Sequence, residues 1–301
     1  MKAAQWLKFE SQRQSVEGKL FGPSQGRQLV IYQPGFPGGA ARDLEEWHMP
    51  GLLIEGRSVF TVRHNGTILD GKHSAYYINC PERLEQAKKT SEHVLGQTNK
   101  SPATLKTWLE EPLCVLESLG SKFDEVILVG HSFGCLSLAW SLLTGPKALF
   151  GNICKVVFLA GALGRIRSGT IDDPILVDWR HHLDCDWIRE RVEVGDVEDN
   201  LKTLLEASNL IHRDIDKFPD LEPILLHPWG DTPESLDVRI HIQESIDFLL
   251  SLNKGCLIVD KTQKPVPNKG AVHDLPNLKT EFLNKLLEPS FKAESKITAY
   301  S

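Results

Sequence analysis

The run Asp124-Glu-Val-Ile-Leu-Val-Gly-His-Ser-Phe-Gly134 leaves this chain little structural choice. Val126 to Val129 form an unbroken apolar, mostly β-branched stretch that reads as a buried strand, and the apolar residues of 136–143 follow with helical spacing. Between them, Gly130-His131-Ser132-Phe133-Gly134 allows only a sharp turn, with glycines where neighbouring backbone must pass without a Cβ clash. Strand, turn and helix place Ser132 at the tip with its Oγ exposed. A serine presented in this way is a candidate nucleophile.

The five-residue pattern alone is weak, because it occurs again at Gly22-Pro-Ser-Gln-Gly26. That copy lies between two short strand-like runs, and its Pro, Ser, Gln and Gly read as a hairpin loop. No helix follows Ser24, so nothing presents its hydroxyl. Context keeps Ser132 and discards Ser24.

Short apolar runs at 28–33, 58–63, 125–129, 155–159, 223–227 and 255–260 alternate with helical patterns at 104–119, 136–143, 238–252 and 278–287. The alternation predicts an α/β fold, with a mostly parallel central sheet and helices on both faces. One connection is far longer than a crossover needs. Arg165–Asp220 reads as mostly helical and carries eight Lys and Arg against fourteen Asp and Glu, so the chain's net charge of −6 is concentrated there. The expected organisation is a core of residues 1–164 and 221–290, a helical cap inserted at 165–220 over the strand ends, and a polar, frayed tail at 291–301.

Composition narrows the function classes. Hydrophobic residues at 41% and charged residues at 25% are ordinary for a globular chain, and no basic run suggests nucleic acid. The first ten residues have no apolar h-region, and the longest apolar stretch, 156–164, is too short to span a bilayer. Six cysteines without Cys-x-x-Cys spacing point to a reducing, cytoplasmic compartment. His181-His182-x-Asp184 offers possible metal ligands but no second cluster accompanies it, so neither metal nor cofactor is expected.

A serine hydroxyl needs a base within hydrogen-bond reach, itself oriented by a third group. In this architecture the chain order is Ser, acid, His. Of eleven histidines, those before the serine, in the cap or within strands and helices drop out, and His131 must turn its ring away from Ser132. His273, in a loop between the last expected strand and helix, remains. Asp231 is the sole carboxylate in the turn after the strand at 223–227, and Asp260 is its main rival. The acid would hold the histidine tautomer and stabilise the imidazolium. An oxyanion requires backbone donors: Phe133 N–H at the helix start, and Phe36 or Gly35 in the loop Pro34-Gly-Phe-Pro-Gly-Gly39. No Gly-Lys-Ser/Thr follows that loop, so it is not read as a phosphate cradle.

The elbow Gly130-His-Ser-Phe-Gly134 and the loop Pro34-Gly-Phe-Pro-Gly38 together resemble the α/β-hydrolase superfamily, over about Val16 to Leu287. The loop departs from the family's His-Gly-x-Pro-Gly by Pro34 in place of histidine. Serine rather than aspartate at position 132 argues against epoxide opening and dehalogenation. The resemblance implies a capped serine hydrolase acting on a small-molecule acyl substrate, a carboxylic ester or thioester. Gly35, His131, Trp179 and Trp187 are expected near the substrate. Acyl transfer, carbon–carbon bond hydrolysis and a non-catalytic receptor on the same fold are its alternatives.

Overall fold

The computed structural model describes residues 4–11, 14–38, 41–69, 79–95, 104–166, 169–228, 245–252, 254–264, 272–293 and 295–300. Among them the strands are β1 (Gln5–Glu10), β2 (Ser15–Phe21), β3 (Gly26–Gln33), β4 (Arg57–Arg63), β5 (Phe123–His131), β6 (Ile153–Leu159), β7 (Ile224–Pro228), β8 (Cys256–Asp260) and β9 (Ile297–Tyr300). They form one sheet in the order β1-β2-β4-β3-β5-β6-β7-β8-β9. β1, β2 and β4 pair antiparallel, and every pairing from β4 to β9 is parallel.

The helices are α1 (Ala41–Leu52), α2 (Pro81–Lys89), α3 (Leu105–Leu119), α4 (Phe133–Thr144), α5 (Pro174–Asp184), the single turn α6 (Asp186–Arg189), α7 (Val197–Arg213), α8 (helical over 245–251) and α9 (Thr280–Leu286). Strand alternation divides the core into two layers. Leu29, Ile31, Val126, Leu128, Val156 and Phe158 face α3, α4, α7 and α8. Val30, Tyr32, Ile127, Val129, Val157 and Leu159 face α1 and α9. Burial on both faces is why these strands read as continuous apolar runs.

The structure corrects three expectations. Residues 22–26 are not a hairpin loop, because β4 lies between β2 and β3. Turn residues report that the chain reverses, not which strand it then pairs with. Ser24 is exposed at the end of β3 opposite Ser132, since β3 begins beside Phe123 and ends beside Gly130.

The tail at 291–301 does not fray over its length. Ile297–Tyr300 adds β9 to the free edge of β8, with Leu257 N–H donating to Lys296 O at 2.7 Å and Lys261 N–H to Tyr300 O at 2.8 Å. Tyr300 stacks on Phe282 of α9, centroids 3.6 Å apart.

The third correction concerns 165–220, which is not a separate layer over the strand ends but packs into the main core. Leu201, Leu204, Ala207 and Ile211 of α7 belong to the main core beside α3 and α4, and so do Ile175, Leu176 and Leu183 of α5. Asn200 Oδ1 accepts Leu105 N–H at 2.7 Å and so caps α3. Residues 191–193 are stapled to the loop after β4, through Ile68 N–H to Arg191 O and Glu193 N–H to Gly66 O, both 2.8 Å. From this segment, α5 reaches the carboxyl ends of β3 and β5, where its Trp179 packs. Asp173 starts that helix as its N-cap, accepting Ile175 N–H at 3.0 Å.

Candidate active site

Ser132 joins β5 to α4 with φ 50° and ψ −120°. A non-glycine residue in this region costs about 1–3 kcal/mol and persists only where its surroundings over-determine it. They do so here. Ser132 N–H donates to Leu159 O of β6 at 2.9 Å, and Ser132 O accepts Cys135 N–H at 3.0 Å and Ala162 N–H at 3.2 Å. His131 and Phe133 are buried, while Ser132 between them keeps partial access to solvent.

The glycines explain how the turn fits. A Cβ on Gly134 would lie 2.1 Å from Gln33 O and 2.7 Å from Pro34 O, so the first turn of α4 runs against the end of β3. A Cβ on Gly35 would lie 2.8 Å from Ser132 Cβ. The loop after β3 therefore passes directly beside Ser132, on the side of the α4 N-terminus. Phe36 is half-buried and packs on Trp108 and Trp179 at 5.4 and 5.3 Å. Phe133 meets the same two tryptophans at 6.0 and 5.9 Å.

His273 sits in a short 3₁₀ turn, Val272–Asp274, and two other histidines hold its backbone. His131 Nε2 lies 3.1 Å from His273 O, and His48 Nε2, from α1, lies 3.0 Å from Asp274 O. Carbonyls only accept, so both Nε2 atoms carry their proton. His48 Nδ1 then accepts the Tyr32 hydroxyl at 2.9 Å, while the buried Nδ1 of His131 faces Gly35. Burial holds His48 down at about 4. Burial, with the neighbouring His273 charge, holds His131 at about 3. Both rings are therefore neutral at pH 7, each as its Nε2–H tautomer. The rings of His131 and His273 stand 5.3 Å apart, and His273 Nε2 is shielded from solvent.

Ser132, Phe133, Gly35, Phe36, His131, His273 and Trp179 are thus gathered at the carboxyl ends of β3 and β5. Trp187 is not among them. It is 50% exposed and lies against the Arg191 guanidinium, 4.3 Å from its ring. Asp231 lies outside the described residues. Its rival Asp260 is fully buried but bonded within its own turn, accepting Thr262 N–H at 2.8 Å, Thr262 Oγ1–H at 2.6 Å and Gln263 Nε2–H at 2.7 Å. None of these bonds involves His273. Sequence reasoning passed over His48, His64, Trp108 and Glu111, which surround the site. A signal existed for Glu111: it falls three residues after Trp108, on the apolar side of α3.

No family model and no curated protein sequence matches the chain. Solved structures do. A thioesterase domain from the curacin biosynthetic pathway matches over 95% of this chain and 99% of its own, with TM-score 0.57 and 11% identity. Est1E from Butyrivibrio proteoclasticus matches over 94% and 98%, with TM-score 0.52 and 14% identity. A bromoperoxidase from Bacillus anthracis matches over 95% and 99%, with TM-score 0.51 and 16% identity. The chain has the α/β-hydrolase fold. Among the described residues no helix is long and apolar enough to cross a membrane.

Proposed function

We propose that the protein is a serine hydrolase that cleaves a carboxylic ester or thioester by acyl transfer. The observation that carries the reading is the backbone of Ser132, locked at positive φ between β5 and α4 with the Gly35 loop beside it. Strain of this kind is maintained where a hydroxyl must be presented, and a structural serine has no need of it.

In this reading Ser132 Oγ attacks the acyl carbon while His273 takes the hydroxyl proton and returns it to the departing alkoxide or thiolate. Water then attacks the acyl-enzyme with the same histidine as base. Asp231 orients His273. Phe133 N–H, at the N-terminus of α4, and Phe36 N–H hold the oxyanion. The two carbonyl bonds from His48 and His131 support the role given to His273, because they fix the turn that carries it. Trp179, with Phe36 and Phe133, gives the acyl group an apolar wall. The esterase and thioesterase among the structural neighbours agree with this chemistry.

A fluorophosphonate probe tests the proposal. Wild-type protein is expected to label and Ser132→Ala to remain unlabelled. An unlabelled wild type, or an equally labelled alanine variant, would count decisively against Ser132 as nucleophile.

A further inference from the structure

Behind the loop that passes Ser132 lies a second buried histidine–carboxylate pair. Glu111 of α3 and His64, just after β4, are both inaccessible to solvent, with Nδ1 and Oε2 2.6 Å apart. The carboxylate also accepts Gln33 Nε2–H at 2.8 Å and Asn65 N–H at 3.0 Å. The other ring nitrogen, His64 Nε2, lies 3.1 Å from Pro34 O. That carbonyl cannot donate, so Nε2 carries a proton. Nδ1 then either donates to the carboxylate or accepts from its acid form, and one further proton is held between them.

The ring has no freedom to leave. It stacks on Trp108, 4.0 Å between centroids and 5° from parallel. On the loop side, a Cβ at Gly38 would strike His64 Cδ2 at 2.5 Å. His64 therefore touches the Pro34–Gly38 loop at both ends, and Trp108 touches Phe36 in its middle.

We propose that Glu111 and His64 are positioning residues that set the Pro34–Gly38 loop for oxyanion stabilisation, with the His64 Nε2–H to Pro34 O bond as the fixed point. The inference rests on the acyl-transfer reading above. An imidazole supplied from the end of β4 thus braces a loop whose own first residue is proline. Neither side chain touches the substrate; their effect passes through the loop backbone, where misplacement by about 1 Å costs about 10²-fold in rate.

The test pairs His64→Phe with Glu111→Met, which keeps an aromatic ring on Trp108 and leaves no buried charge unpaired. With p-nitrophenyl acetate, the double variant is expected to lose about 10²-fold in kcat, a larger effect than any change in KM, since the loop amide acts on an oxyanion formed only in the transition state. Fluorophosphonate labelling at Ser132 should slow in parallel. A folded double variant with wild-type kcat and labelling rate would overturn the proposal while leaving the hydrolase reading intact. An unlabelled, inactive wild type would overturn both. A second measurement needs no substitution that might unfold the chain: imidazole ¹⁵N spectra of the wild type should show His64 protonated at Nε2 throughout the active pH range. A bare Nε2 there would refute the bond on which the proposal depends.

Discussion

Replacing Gly134 with alanine probes the contact on which the site depends. The new Cβ would meet Gln33 O at 2.1 Å, Pro34 O at 2.7 Å and Gln33 C at 2.8 Å, all backbone atoms that cannot rotate aside. Relief requires the first turn of α4 and the end of β3 to separate by about an ångström. Ser132 and the Phe133 amide lie on one side of that gap, and Gly35 and Phe36 on the other. Overpacking of this kind costs about 1–3 kcal/mol, and each kcal/mol lowers Tm by about 2–4 °C in a domain approaching this size. The rate penalty is larger, about 10²-fold for such a displacement between the proposed nucleophile and the proposed oxyanion donors. Thermal unfolding and the rate of fluorophosphonate labelling measure the two effects separately. Gly151→Ala is the control: it has open space around its Cβ and φ of −62°, so a gain of about 0.4–1 kcal/mol is expected with unchanged labelling. A Gly134→Ala protein with wild-type Tm and labelling rate would refute the claim that this approach sets the site.

Three further outcomes follow from the geometry. Unfolded histidines take up protons near 6.5, whereas folded His48 resists until about 4, so the unfolded state binds more protons between those values and stability falls as pH drops through that window. His48 alone accounts for roughly 3 kcal/mol of that loss, and urea titrations at pH 7 and 4.5 should show a shallower fall in His48→Gln; identical slopes would contradict it. Asp260→Asn should cost about 1 kcal/mol of turn stability yet retain kcat, while Asp231→Asn should lower kcat by about 10⁴-fold; the reverse pattern would exchange their roles. Trp179→Ala should cost about 3–5 kcal/mol and shift preference among p-nitrophenyl esters toward longer acyl chains, and an unchanged chain-length profile would remove Trp179 from the acyl wall.

The central strands were legible because burial on both faces turns each into an apolar run with sharp ends. β9 was not, since its residues alternate between exposed and half-exposed and its pairing depends on an edge 40 residues earlier. β2 was visible as a strand-like run, but local turn chemistry says nothing of β4 entering between it and β3. At the site, chain order picks out Ser132 and His273 as candidates, and the fold brings the 272–274 turn against His131, the neighbour of Ser132. The same rule discards His48 and His64, which bond the backbone carbonyls of Asp274 and Pro34. Such bonds leave no spacing in the sequence; they exist only once α1 reaches the 273–274 turn and β4 ends beside Pro34.

The seating of the 165–220 segment in the main core limits how the protein can be re-engineered. With Leu201, Leu204, Ala207 and Ile211 in the main core and Asn200 closing the start of α3, α7 cannot swing outward as a hinged flap without exposing that core. A chimera that exchanges the whole segment for a relative's would remove a wall of the building along with its roof. Exchanging α5 alone would still withdraw Ile175, Leu176 and Leu183 from that same core.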